Sequence, residues 1–142
     1  MTTATETKSI KFAVVAALAL GAQFEGGTYG GITTKPDGNV CAVVYLGISE
    51  SSQDHAACIA YATERDGELA TRAVFHLLRS TIKDQLPKGG WCFTADLLSD
   101  DTGDKDDASF AWYCHLGSGS TGYGNTSARG RAVVVRLIHI ED

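Results

Sequence analysis

The sequence has no excess of basic residues. Its 142 residues include 12 lysines and arginines against 17 acidic residues, for a formal net charge of −5. A general nucleic-acid-binding protein needs clustered lysine and arginine side chains to contact phosphates. We therefore expect no nucleic-acid partner.

The sequence also lacks an apolar run long enough to span a membrane. The most apolar stretch, 12–20, has nine residues, whereas a transmembrane helix needs about 20. It follows Lys8 and Lys11 and contains an Ala-Leu-Ala sequence, two features that are typical of a signal peptide. We interpret it instead as part of a buried N-terminal strand over 12–24, preceded by a polar arm over 1–9.

No two cysteines are close in the sequence. The four are separated by 17, 34 and 22 residues, at Cys41, Cys58, Cys92 and Cys114. Zinc sites and thioredoxin-like redox sites use closely spaced pairs, so neither is predicted. Because we find no convincing secretion signal, we expect reduced, buried thiols. The four histidines are equally scattered, and no metal site is predicted from them.

The first half of the chain predicts a hairpin followed by two helices. A Lys-Pro-Asp-Gly turn joins two apolar strands, 32–34 and 40–46. Apolar residues then recur at helical spacing in two segments. Ser51 or Ser52 is the expected cap of the first helix, and Thr71 is the expected cap of the second.

The second half predicts short strands separated by long loops. We expect strands over 91–94, 109–116 and 132–140, with an acidic loop at 96–107 and a Gly/Ser-rich loop before the last strand. Strands, two helices and then more strands form an α+β order, and the length fits one domain over 1–142. Long loops in so small a domain usually carry function.

The acidic loop carries the whole net charge. Outside 96–107, acids and bases balance at 11 each. If the loop binds calcium, Asp101, Asp104 and Asp106 are the candidate ligands. Their spacing is not that of an EF-hand, so we favour a flexible, solvated loop without a metal.

The segment 112–129 has the composition of a binding surface. Aromatic residues provide contact area, while Ser, Gly and Asn adapt their hydrogen bonds. Alternation along 111–116 predicts Trp112, Cys114 and Leu116 toward the core. The candidate binding residues are the outward ones and the polar residues that follow: Tyr113, His115, Ser118, Ser120, Tyr123, Asn125, Ser127 and Arg129.

Two motifs associated with enzymes occur without their companions. A Gly-x-Gly-x-x-Gly pattern covers 117–122, but the residues after it are not typical of a helix, which a dinucleotide site requires. A Ser-x-x-Lys pattern at 80–83 lies on a predicted helix, and no companion motif of the serine acyl enzymes accompanies it. We therefore predict no enzymatic activity.

Five short motifs occur in a characteristic order. They are GGTYGGI at 26–32, GELATR at 67–72, WCFT at 91–94, FAWY at 110–113 and RAVVVRL at 131–137. This order resembles the C-type-lectin-like domains at the C-terminus of collagen-like bacterial adhesins, and most of all their short, stand-alone phage and prophage forms. The chain departs from the family pattern at Ala70, where a proline is usual, and at Cys92.

The resemblance implies a fold and a role. The fold has two helices flanking small antiparallel sheets, long loops, and adjacent N- and C-terminal strands; Cys92 and Cys114 could meet across one sheet. The role is a non-catalytic phage or prophage binding module, virion-associated as a fibre, tail or decoration protein. Its ligand would be a protein or a glycan, from the host or the virion, and we expect a homo-oligomer or an assembly with other phage proteins.

An alternative places the protein in the host cytoplasm. There it would be a phage-encoded interaction protein that inhibits a host defence complex. An acidic loop can mimic nucleic-acid phosphates and occupy a basic groove. The lack of a convincing signal peptide favours this alternative, and the lectin-like resemblance favours the virion.

Overall fold

Residues 9–141 are described by a computed structural model, which shows an α+β architecture. The strands in this part of the chain are β1 Ser9–Lys11, β2 Gln23–Phe24, β3 Gly27–Thr34, β4 Val40–Ile48, β5 Glu68–Leu69, β6 Trp91–Leu97, β7 Phe110–His115, β8 Thr121–Asn125 and β9 Arg131–Glu141. The α-helices are α1 Phe12–Ala16, α2 His55–Glu64, α3 Arg72–Thr81 and α4 Leu98–Thr102, with 3₁₀ turns at Lys83–Gln85 and Lys105–Ser109. Of the predicted polar arm, only Ser9 lies within the described residues.

Strand β9 is the central element of a mostly antiparallel sheet. The strand order is β2-β3-β4-β9-β6-β7-β8, and β1 and β5 also pair with β9. Alternation along β9 sends Val133 and Val135 to one side of the sheet and Ala132 and Val134 to the other. Because both sides are covered, the buried part of β9 at 132–135 is an uninterrupted apolar run.

The two long helices cover opposite faces of this sheet. Helix α3 contributes Val74, Phe75 and Leu78 to the core cluster that contains Val133. Helix α2 contributes Cys58 to the second cluster, with Val134. The predicted pair of helices is therefore confirmed.

The caps were predicted for one helix and missed for the other. Thr71 caps α3 as expected, since its hydroxyl accepts from the Val74 amide at 3.2 Å. Helix α2 is capped by Asp54, so the expectation of Ser51 or Ser52 is wrong. The chain after β4 bends at Glu50 and Ser51 and then forms an isolated bridge between Gln53 and Gly130, so the helix starts only after Asp54.

The predicted hairpin is confirmed as β3 and β4. Its register pairs Thr34 with Val40. The turn closes through a hydrogen bond of 2.8 Å from the Lys35 amide to the Asn39 carbonyl. Gly38 adopts a φ of 90°, which a glycine accommodates without strain.

The predicted buried strand over 12–24 is wrong. Phe12–Ala16 forms helix α1, and Phe12 and Leu20 are more than half exposed, at 52% and 54%. Alanine favours helix over strand, and this run is rich in alanine. The place beside β9 is instead taken by β1, which pairs with it in parallel, Ser9 opposite His139.

The longest α-helices in the described part of the chain, α2 and α3, have ten residues each. None of those between residues 9 and 141 has the length and apolar character needed to cross a membrane.

Candidate functional site

The predicted Gly/Ser-rich loop contains a strand. Residues Thr121–Asn125 form β8, which pairs with β7 at the edge of the sheet. Glycines at positions 122 and 124 hid this strand from a reading of composition, because glycine is depleted in strands. Packing explains why residue 124 is a glycine, because a side chain there would collide with the Tyr113 ring.

The register of β7 and β8 separates two residues that were predicted to project side by side. Trp112 pairs with Tyr123, and directly paired residues share a face of the sheet. Tyr113 pairs with Gly122 and so lies on the other face. Tyr123 is 57% exposed, whereas Tyr113 is half-buried. The expectation that Tyr113 and Tyr123 project side by side from one face of the sheet is wrong, and the two residues approach each other only at the sheet edge.

The predicted inward set is correct in part. Cys114 and Leu116 are buried in the core. Trp112 is only half-buried, because its indole Nε1 donates to the Asp101 carboxylate at 2.7 Å and the Arg72 guanidinium lies 4.4 Å from its ring centre. Alternation predicted a tryptophan within the core. The structure instead places the Trp112 indole at the rim of the core, where its N–H has a polar partner.

Tyr113 belongs to a row of five rings on its own face of the sheet. In order, the rings are those of His115, Trp91, Tyr113, Phe93 and His55, and neighbouring ring centres lie 4.9, 6.2, 4.3 and 5.1 Å apart. Exposure decreases along the row from Trp91, which is 46% exposed, to Phe93 and His55, which are buried. We call it the aromatic row.

The aromatic row opens into a cleft at the sheet edge. The cleft has a volume of about 360 Å³ and is lined by Trp91, Tyr113, Gly122, Tyr123 and Arg129. We call it the edge cleft. Residues from both faces line it because β8 is the last strand of the sheet. Three predicted binding residues, Tyr113, Tyr123 and Arg129, therefore come together here.

Trp91 was missed as a site residue. It pairs with His115 across β6 and β7, which places it on the face of Tyr113. The only sequence signal was a tryptophan at the start of a strand. Composition does not fix the register between strands, and the register is what brings Trp91 into the cleft.

The polar residues around the β7–β8 turn mainly stabilise the turn. Nδ1 of His115 accepts from the amides of Gly117 and Ser118, each at 3.2 Å. The hydroxyl of Ser118 donates to that of Ser120 at 2.9 Å. From outside, Arg79 donates to the carbonyls of Leu116 and Gly117.

Asn125 and Ser127 form a second local turn. Oδ1 of Asn125 accepts from the Ser127 amide at 2.9 Å and from its hydroxyl at 2.7 Å. Arg129 follows, and its Nε donates to the Ser52 carbonyl at 3.4 Å. Of the eight predicted binding residues, His115, Ser118, Ser120, Asn125 and Ser127 thus make hydrogen bonds within their own loops and do not line the cleft.

The acidic loop is folded, which corrects the expectation of a flexible loop. It contains α4 and a 3₁₀ turn. Arg72 ties it to α3 by donating to Asp96 at 3.4 Å and to both Asp101 oxygens at 3.0 and 3.1 Å. Asp107 accepts from Thr102 at 2.6 Å.

Two of the three candidate calcium ligands accept local hydrogen bonds through their carboxylates. Asp101 binds Arg72 and Trp112. Asp104 caps the 3₁₀ turn by accepting from the Asp106 amide at 3.0 Å. Between residues 9 and 141, no three His, Cys, Asp or Glu side chains are gathered as a metal site would require.

The cysteines are free and buried, as predicted. Cys92 lies directly opposite Cys114 in the β6–β7 register. Burial raises the pKa of the Cys92 thiol to about 12 and that of Cys58 to about 11. Burial also raises the pKa of Cys114. At neutral pH these thiols are protonated and poorly nucleophilic.

Comparison with known proteins gives no match. No protein-family model matches the chain, no curated protein is significantly similar to it, and no solved structure has a significantly similar fold.

Proposed function

We propose that this protein is a non-catalytic binding module and that its ligand occupies the edge cleft. The observation that carries the proposal is the position of Trp91. Its side chain is 46% exposed, is the most exposed ring of the aromatic row, and lies in the same cleft as Arg129. Tryptophan, tyrosine and arginine are the residues that most often contribute ~2 kcal/mol or more to an interface.

One wall of the cleft, the Tyr113 ring, is held in place by its neighbours. The Tyr113 ring is stacked on Phe93 with 4.3 Å between ring centres and an angle of 17°. On the other strand, Gly124 leaves room only for that ring. A preformed surface loses little conformational entropy on binding, which favours affinity.

The composition of the cleft supports binding rather than catalysis. Among the described residues that line it, none carries a carboxylate, a thiol or an imidazole. These are the groups that most often perform acid–base and nucleophilic catalysis. The buried thiols of Cys58 and Cys92, with their raised pKa values, do not supply the nucleophile.

We also propose that the domain has a C-type-lectin-like fold of the short phage or prophage form. The order of the five sequence motifs supports this, as do the pairing of β1 with β9 and the placement of α2 and α3 on opposite faces of the sheet. In this proposal the protein is a fibre, tail or decoration protein of a virion. It contacts a host ligand or another virion protein and assembles with itself or with other phage proteins.

The cytoplasmic alternative depends on the acidic loop as a mimic of phosphates. Two of its carboxylates, Asp96 and Asp101, are already bound by Arg72, and Asp101 also accepts from Trp112. Carboxylates neutralised within the protein attract a basic groove less strongly. The contacts of the acidic loop therefore favour the edge cleft as the binding surface.

Binding can be tested with a double variant and a matched control. The wild-type protein is applied to a glycan array and to a randomised linear peptide library. Trp91→Ala with Arg129→Ala should abolish what the wild type binds. Tyr61→Ala with Arg65→Ala removes an aromatic–arginine pair of another surface, where the guanidinium lies 3.4 Å from the ring centre, and should change nothing. Binding that survives the first double variant would overturn the proposed site.

The location can be tested separately by mass spectrometry of purified particles. If the proposal is correct, the protein copurifies with virions at a stoichiometry that is constant between preparations. Its presence only in infected-cell extract would favour the cytoplasmic alternative.

A further inference from the structure

The outer edge of β8 presents backbone hydrogen-bonding groups away from the sheet. The His115 amide donates to the Ser120 carbonyl at 2.9 Å, and the Thr126 amide donates to the Ser109 carbonyl at 2.8 Å. In an antiparallel ladder, bonded and non-bonded pairs alternate. The two bonds above belong to residues 120 and 126 of the outer chain segment, so every second residue between them, including Gly122, also bonds to β7. The amide and carbonyl of Tyr123 therefore point outward.

No other described strand follows β8 in the sheet order. Thr121 and Asn125 are in the same phase as Tyr123, so their backbone groups also face outward. The Asn125 carbonyl accepts from the Ala128 amide at 2.9 Å. That carbonyl is therefore occupied, and the edge offers the amides and carbonyls of Thr121 and Tyr123 and the amide of Asn125. This alternating row of donors and acceptors is the template that an added strand uses.

Gly122 has no internal reason to be glycine. Its φ is not in the left-handed region, and an added Cβ would meet no atom within 4 Å. Glycine within a strand weakens it, and its presence often marks a site where another backbone or a ligand approaches closely. Gly122 is also a lining residue of the edge cleft, directly beside the outward edge.

Arg129 gives the cleft a positive charge. It is exposed, and no acidic side chain lies among the described lining residues. An acidic group on the ligand would complement it. In an extended peptide, side chains at i and i+2 lie on one face, so one can enter the cleft while the other reaches Arg129.

We infer that the partner is an extended peptide segment that adds to β8 as the next strand. An apolar side chain of this segment occupies the space over Gly122, against Trp91 and Tyr113. An acidic side chain two positions away binds Arg129. Main-chain hydrogen bonds to β8 provide affinity, and the cleft provides specificity. This inference rests on the proposed function, because it uses the same cleft.

The test compares two glycine variants against a randomised linear peptide library. Gly122→Val should fold normally and lower the affinity for selected peptides at least ~10-fold, a loss of about 1.4 kcal/mol. Gly89→Val is the matched control, since an added Cβ also meets nothing within 4 Å there and its φ is not left-handed. Selected peptides should share an apolar residue two positions from an acidic one.

A second measurement does not depend on a variant that folds. Selected peptides are N-methylated at single positions and titrated against the wild-type protein. Alternate positions should lose binding, because only every second amide faces β8. Loss at every position, or at none, would overturn strand addition.

The remaining outcomes separate this inference from the proposed function. If glycans bind, if their binding is lost in Gly122→Val, and if no peptide binds, the inference of a peptide partner is overturned and the proposed binding module stands. A different result is that peptides bind Gly122→Val normally and fail to bind the Trp91→Ala, Arg129→Ala double variant. That result would also overturn strand addition and leave the binding module standing. If neither library binds, both proposals fail. Self-association that Gly122→Val abolishes would replace the peptide partner with a second copy.

Discussion

The Trp112 indole donates a hydrogen bond from Nε1 to the Asp101 carboxylate, 2.7 Å away, and thereby joins the acidic loop to strand β7. The same carboxylate accepts from Arg72, whose guanidinium lies over the indole ring. The three side chains form one cluster that links α3, α4 and β7. The most acidic part of the chain is therefore a structural element held by its own counter-charge.

We expect Asp101→Asn to destabilise the protein by about 0.5–1.5 kcal/mol. The ion pair with Arg72 is partly exposed, so its contribution is modest, and the loss of the charge-assisted indole hydrogen bond adds to it. Urea denaturation monitored by tryptophan fluorescence measures the change. Asp106→Asn is the control, with no expected effect, and an equal loss in both variants would contradict this role for Asp101.

Calcium should not stabilise the protein. Asp101, Asp104 and Asp106 do not converge, so the folded state offers no binding energy that the unfolded state lacks. Thermal unfolding in millimolar calcium chloride and in a chelator should give the same midpoint. If calcium raises the midpoint and Asp104→Asn removes that rise, the protein has a calcium site after all.

Gly119→Ala should lower stability by about 1–3 kcal/mol. Gly119 has a φ of +75°, and a Cβ there would collide with the Arg79 guanidinium, which holds the carbonyls of Leu116 and Gly117. Thermal denaturation gives the direct measurement. Gly89→Ala, at a position with open space, should be close to neutral. Two neutral substitutions would mean that Arg79 does not fix this turn.

Stability should decrease above about pH 9. Burial raises the pKa of Cys92 from 9.0 to about 12, so the unfolded chain loses its thiol proton first as the pH rises. The contribution is fully present below pH 9 and is lost progressively toward pH 12. Urea titrations across this range should show the decrease, and Cys92→Ala should make it less steep, with the remainder due to the other buried thiols, such as Cys58 and Cys114. A profile that is equally steep in the variant would assign the effect to other groups.

The native thiols should also react slowly. All four cysteines are buried, so an aromatic disulfide reagent at neutral pH should label them only after denaturation. Rapid labelling of one thiol in the native protein would identify a reactive site that its burial does not explain.

The sequence predicted elements that local signals determine. Helix α3 has a capping threonine and a regular apolar stripe, and the β3–β4 hairpin has a turn whose residues set its backbone angles. The alanine-rich run at 12–20 was misassigned, because short apolar runs fit either a helix or a strand. Strand β8 was missed, because glycine is depleted in strands and the packing reason for Gly124 is the Tyr113 ring on the neighbouring strand.

The candidate site depended on pairing that no local pattern contains. Alternation correctly separated Tyr113 from Cys114, but it could not place Tyr123, since the face of a residue on β8 depends on its register with β7. In the same way, the register between β6 and β7 brings Trp91 to the cleft. The acidic loop was misjudged for a related reason: its order depends on Arg72, which lies 29 residues from Asp101 in sequence.

The many pairings of β9 have a consequence for how the chain acquires its structure. Strands β1, β4, β5 and β6 all precede β9, and all of them bond to it. During synthesis they leave the ribosome before the strand that joins them exists, so their apolar faces stay uncovered until β9 emerges. Contacts as distant as Ser9 with His139 also require closure of a long loop. The sheet therefore cannot be completed until β9 has been made, and until then the apolar faces of the earlier strands are exposed to aggregation.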